Sequence, residues 1–203
     1  MVATPWPLMA GCCAMSDVDH GFRSIVVFPG HGGSAVSYEP VVSPLTTAFT
    51  GSVITTANPS VVSPTGDTAM GWWHAPDAGP SAATTAGATH AVQYAGGRWL
   101  GSVVVIGFSQ GAAMATMVAH LPEVAAVVLI SGFLPHPRPT DPVTAQVLSM
   151  YGDADEVIDP FLSQMAARWM SARGAEVTVV SHVGGHAWSP AVTEAIVTWL
   201  RDL

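Results

Sequence analysis

Lysine is absent from the 203 residues, and all six basic residues are arginine. A protein that grips nucleic acid through its phosphates needs a basic stripe, and six dispersed arginines against 14 acidic residues cannot form one. The formal net charge of −8 likewise excludes a polybasic membrane anchor. Charged residues of all kinds make up only 10%, against roughly 25% in an average globular chain, too few for a coiled coil or a salt-bridged helical array. Cysteine occurs twice, at the adjacent positions Cys12 and Cys13. Vicinal cysteines suit neither ordinary disulfide geometry nor a tetrahedral zinc set, so no disulfide framework is expected. No H-E-x-x-H or comparable spacing occurs among the eight histidines, and no metal or cofactor is expected.

Long hydrophobic runs are also missing, with one instructive exception. Trp99–Pro122 carries no formal charge. It changes character midway, from β-branched Val103-Val104-Val105-Ile106 to helix-forming Ala112-Ala113-Met114-Ala115. That reads as a buried strand turning into a buried helix, not as a membrane span. Met9-Ala10-Gly11-Cys12 faintly resembles a lipoprotein cleavage site, but no Lys or Arg precedes it, and Pro5 and Pro7 break the short apolar stretch. Residues 1–22 are therefore read as an irregular N-terminal extension, and the protein as cytoplasmic.

What is present is 49% apolar residue, enough for a sizeable single core. Strands are expected at 24–28, 52–56, 102–107, 125–131, 145–151 and 176–180, with helices at 81–97, 110–120 and 161–173 and after Ser189-Pro190. Residues 60–80, rich in Pro, Gly and Ser and carrying Trp72-Trp73, read as a long loop. Apolar strands alternating with helices imply an α/β fold, a mostly parallel central sheet with helices on both faces. Ligands of such sheets sit at the carboxyl ends of the strands, so the loops there should hold the chemistry.

One such loop is Gly107-Phe108-Ser109-Gln110-Gly111, a G-x-S-x-G between strand and helix. A serine on that sharp turn is strained, and only small residues fit two positions to either side. The following helix aims its N-terminus at the serine, so the Gln110 N–H can donate to an oxyanion. A serine hydroxyl needs a base, and the base needs an orienting acid. The strand at 145–151 ends in Tyr151-Gly152-Asp153-Ala154-Asp155, where Asp153 and Asp155 compete. A turn after Gly152 presents the later residue to the site and leaves the first to cap the turn, which favours Asp155. The next strand ends in Val183-Gly184-Gly185-His186, whose glycines allow a loop that swings His186 over the serine. His182 is the local rival, expected to be packed. The second oxyanion donor is expected from the loop Phe28-Pro29-Gly30-His31-Gly32-Gly33, at the His31 N–H.

These motifs resemble the α/β-hydrolase superfamily, and within it the phospholipase/carboxylesterase branch that includes the acyl-protein thioesterases. The resemblance spans roughly 24–203, which makes 23–203 one α/β-hydrolase domain. It rests on the nucleophile turn with its glutamine, on Ser131-Gly132-Phe133-Leu134-Pro135, on the acid loop before Val157, and on Gly185-His186. Met70-Gly71-Trp72-Trp73 loosely resembles an aromatic loop near the substrate channel. The oxyanion loop departs from the branch with Pro29 in place of a histidine and Gly33 where an acidic residue is common.

The resemblance implies a serine hydrolase cleaving carboxylic esters or thioesters through an acyl-enzyme. Ser109 would be nucleophile, His186 base and Asp155 acid, with Trp72, Trp73, Phe133 and Leu134 as candidate walls for a small acyl substrate. Acyl transfer by the same intermediate, or a catalytically silent binding module, are the alternatives. Neither nucleic acid nor a membrane span is expected as a partner.

Overall fold

The computed structural model describes residues 21–59, 61–62, 70–73 and 79–203. The N-terminal extension up to residue 20, both cysteines and most of the 60–80 loop lie outside the described residues. Six strands form one sheet: β1 (Ser24–Phe28), β2 (Val53–Thr56), β5 (Val103–Phe108), β6 (Val124–Ile130), β7 (Gln146–Gly152) and β8 (Glu176–His182). Their order is β2-β1-β5-β6-β7-β8, and every pairing is parallel. β3 (Val61–Val62) and β4 (Met70–Gly71) make a separate antiparallel pair within the stretch read above as a loop.

The β-branched runs of the inner strands β1, β5 and β6 become strands because they are buried on both faces. Along β1, Ile25 and Val27 enter one apolar cluster while Val26 and Phe28 enter the other. Helices α1 (Ala35–Ala48) and α5 (Pro190–Arg201) cover the first face, contributing Leu45, Val192, Ile196 and Leu200. Helices α2 (Ala82–Gly96), α3 (Gln110–Val118) and α4 (Pro160–Ala172) cover the second, with Ala88, Val92, Met114, Val118 and Met170. The result is an α/β-hydrolase fold.

Helix starts follow the expected chemistry. Ser81, Asp159 and Ser189 each accept a backbone N–H from the first turn, and Pro160 and Pro190 occupy the proline-tolerant first position. α1 is the helix that no sequence signal set out above marks. It carries Pro40 and Pro44 in its interior, which remove two helical donors. Both prolines are exposed, so water can take the freed carbonyls, and the Ser34–Ser37 capping box secures the helix start. Among the described residues, no helix is long and apolar enough to cross a membrane.

Candidate active site

β5 delivers Ser109 to the carboxyl edge of the sheet, where the chain reverses abruptly into α3. Ser109 takes φ 54 and ψ −120, a conformation rarely adopted by a residue with a side chain. Two close approaches enforce this turn. A Cβ at position 107 would collide with the Gly111 carbonyl and stand 2.6 Å from Ala112 Cα. A Cβ at position 111 would meet the Phe28 carbonyl and lie 2.5 Å from the Pro29 oxygen. Ser109 is also the N-cap of α3, yet its hydroxyl caps nothing. It is directed instead to His186, with Oγ 3.0 Å from Nε2.

The other imidazole nitrogen, Nδ1, lies 2.9 Å from Asp155 Oδ2. An ionised carboxylate can only accept, so Nδ1 carries the proton and Nε2 is left as acceptor for the Ser109 hydroxyl. The carboxylate is fully buried. Burial alone raises its pKa, but groups favouring the ionised form outweigh it and hold Asp155 below the usual aspartate value. They are the Ile158 N–H, His186, the Ser131 hydroxyl and the Val157 N–H. Oδ1 accepts from Val157 N at 3.0 Å and Ile158 N at 2.9 Å. Ser131 is different: its buried hydroxyl lowers the carboxylate by proximity, but no hydrogen bond of ordinary length joins them. It sits at φ 47, immediately after β6.

The competing aspartate faces elsewhere. Asp153 is exposed, and its N–H donates to the His182 carbonyl, tying the acid turn to the end of β8. The Ala154 N–H donates to Gly184 O, a second tie between the acid and histidine loops. His182 is half-buried at the end of β8, and its Nε2 is buried without a partner among the described residues.

Counting donors in the loop after β1 singles out one group. Gly30 N–H donates to the Tyr38 hydroxyl at 2.8 Å, Gly32 N–H to Met70 O and Gly33 N–H to Gly30 O. His31 N–H has no acceptor among the described residues, and neither has the Gln110 N–H at the start of α3. The loop abuts Ser109: a Cβ on Gly30 would lie 3.2 Å from Ser109 Cβ.

The tryptophan pair is held from the same turn. Gln110 Oε1 accepts from Trp72 N at 2.8 Å, and its Nε2 donates to Trp73 O at 3.0 Å. Trp72 Nε1 donates to Pro29 O, and its ring meets Phe28 edge-on. Trp73 packs edge-on against Phe133 with centroids 6.0 Å apart. Both tryptophans are buried, at 4% and 6% exposure. Leu134 lies apart from them, lining a cavity with Phe161, Met165 and Trp169. The clamp formed by the Gln110 side chain has no signature in the sequence. A motif glutamine shows its spacing but not its acceptor and donor across 37 and 38 residues. Among the described residues, no cluster of His, Cys, Asp or Glu is arranged to hold a metal ion.

Comparison with known proteins agrees with this architecture. No curated protein sequence matches the chain. Among solved structures, a Bacillus cereus carboxylesterase superposes with TM-score 0.75 at 15% identity, covering 91% of this chain and 90% of its own. Arabidopsis thaliana SOBER1 gives 0.73 at 18% identity, covering 89% and 98%. A carboxylesterase from Mesorhizobium loti gives 0.72 at 20%, covering 88% of each chain. At these identities the likeness is one of fold. The family model described as Serine hydrolase (FSH1) matches residues 40–191, three quarters of the sequence and including Ser109, Asp155 and His186, so the chain belongs to that serine hydrolase family.

Proposed function

We propose that the protein hydrolyses carboxylic esters or thioesters through an acyl-enzyme on Ser109. The observation that carries this reading is the unbroken hydrogen-bonded chain from Ser109 Oγ through His186 to Asp155, at 3.0 and 2.9 Å. In this reading His186 Nε2 takes the hydroxyl proton as Oγ attacks the acyl carbon. Asp155, buried and ionised, keeps the imidazole in the Nδ1–H tautomer and stabilises the imidazolium that forms. The N–H groups of His31 and Gln110, without an acceptor among the described residues, receive the negative oxygen, aided by the positive end of α3. The proton then passes to the leaving atom, and water repeats the sequence to release the acid. Residues 23–203 act as one catalytic domain. Trp72 and Trp73 serve as fixed walls, held in place by Gln110, with Phe133 beside Trp73.

A fluorophosphonate probe tests the proposal. It should label Ser109, and Ser109→Ala should abolish both labelling and p-nitrophenyl acetate turnover while the far-ultraviolet circular dichroism stays unchanged. An unlabelled wild-type protein would point to a silent hydrolase fold, and activity retained in the variant would point to another nucleophile.

A further inference from the structure

Resting on the mechanism just proposed, we infer that a small aromatic-walled cavity beside His186 receives the leaving group and selects neutral, ring-sized alcohols. The cavity measures about 210 Å³ and is lined by Ser37, Tyr38, Val41, Phe108, His186, Ala187 and Trp188, with the Ser37 hydroxyl donating to the Ser34 carbonyl. Among the three residues of the proposed triad, His186 is the one that borders it.

Its position follows from the proton's route. When the Oγ–acyl bond forms and the bond to the alcohol oxygen breaks, that oxygen must take the proton from His186 Nε2 and leave as the free alcohol. The leaving group therefore stands on the imidazole side of Ser109. His186, Ala187 and Trp188 are consecutive, so the base and one wall of the cavity are a single stretch of chain. Phe108, the residue before the nucleophile, supplies another wall, its ring centroid 4.7 Å from that of His186.

The walls define the guest. Tyr38 meets Trp188 edge-on at 5.6 Å and tilts against Phe108 at 6.3 Å, presenting aromatic surface. Their polar ends are already occupied: the Tyr38 hydroxyl accepts from Gly30 N, and Trp188 Nε1 donates to Thr193 Oγ1. None of the six arginines lines the cavity, and neither does any carboxylate. A cationic guest would lose its hydration and find no carboxylate to replace it. An apolar cavity of ~150 Å³ accommodates benzene, so this one has room for a phenyl or benzyl group. It is smaller than the ~300–1,000 Å³ typical of sites that enclose drug-sized ligands.

The experiment compares benzyl acetate with ethyl acetate, which share an acyl group and differ only in the alcohol. Ala187→Leu and Val41→Phe add bulk from two different elements. Each should lower the benzyl-to-ethyl ratio of kcat/KM at least tenfold relative to wild type, in which the intrinsic reactivities cancel. In the unmodified protein benzyl alcohol should compete with ethyl acetate, while the benzylammonium ion, similar in size but charged, should not. A ratio within twofold of wild type in the folded variants, or equal inhibition by alcohol and ammonium, overturns the inference even if Ser109 is labelled by fluorophosphonate. Failure of that labelling in the wild-type protein would instead remove the hydrolytic reading beneath it.

Discussion

Gly152 is the point at which the acid and base loops press hardest on each other. It ends β7, three residues before Asp155, and a Cβ there would collide with the Gly184 carbonyl oxygen. The same atom would lie 2.6 Å from the Gly185 oxygen, where real Cβ contacts do not fall below 3.0 Å. Gly152 has no left-handed φ, so alanine is acceptable to the backbone and the conflict is purely steric. Relieving the Gly185 contact alone requires the two loops to part by about 0.4 Å. Passed on to the imidazole, that shift takes the His186–Ser109 bond from 3.0 to about 3.4 Å, outside the ~2.6–3.2 Å useful for proton transfer. A misplacement of ~1 Å can cost ~100-fold in rate, so Gly152→Ala should lower kcat/KM for p-nitrophenyl acetate on the order of tenfold. Overpacking should also cost about 1–3 kcal/mol, read by urea unfolding. Gly87→Ala is the control: it lies in α2 with nothing within 4 Å of its Cβ. It should keep activity and gain about 0.5–1 kcal/mol. A Gly152→Ala protein with wild-type stability and kcat/KM within twofold of normal would refute the reasoning, because the loops would then yield without disturbing the triad.

Asp155→Asn should lower p-nitrophenyl ester turnover by ~10³–10⁴-fold by favouring the wrong imidazole tautomer, while Asp153→Asn, at an exposed turn, should leave it nearly unchanged. The reverse ranking would exchange their roles. Because the folded-state pKa of Asp155 lies below its ordinary 3.8, its ionised form adds stability at neutral pH that is lost as pH falls below 3.8 through the lower folded value. Urea midpoints measured down that range should fall less steeply in Asp155→Asn than in wild type, and parallel curves would count against a depressed value. Gln110→Ala should release Trp72 N–H and Trp73 O, cost about 1–3 kcal/mol and shift tryptophan emission. Unchanged emission and stability would show that the clamp is dispensable.

The sequence signals that located the candidate site were local. Gly107 and Gly111 flank Ser109 because strand and helix backbones cross there, and that crossing can be read from five residues in a row. Asp155 was separable from Asp153 because a two-residue turn carries the later carboxylate inward. His186 stood out through the glycines before it. The strands were visible for a similar reason: strands buried on both faces need apolar, largely β-branched runs, and β1, β5 and β6 are apolar almost throughout. α1 was hidden because Pro40 and Pro44 break the helical signal, while the exposure that lets water take the freed carbonyls depends on the fold around the helix.

The parts that stayed hidden share one property: they depend on contacts between residues far apart in the chain. Tyr38, Phe108 and Trp188 line a single open cavity although 150 residues separate the first from the last. Nothing in the neighbourhood of any one of them marks it as a wall. Tyr38 shows why the distinction matters for function. Its hydroxyl takes up the Gly30 N–H, which leaves the His31 N–H as the loop donor without an acceptor among the described residues, while its ring lines the cavity beside His186. One side chain from the helix no local signal marked therefore borders both the oxyanion loop and the leaving-group space. Removing the hydroxyl while keeping the ring, as in Tyr38→Phe, would free the Gly30 N–H without emptying the cavity, and so separates the two contributions that the fold has joined.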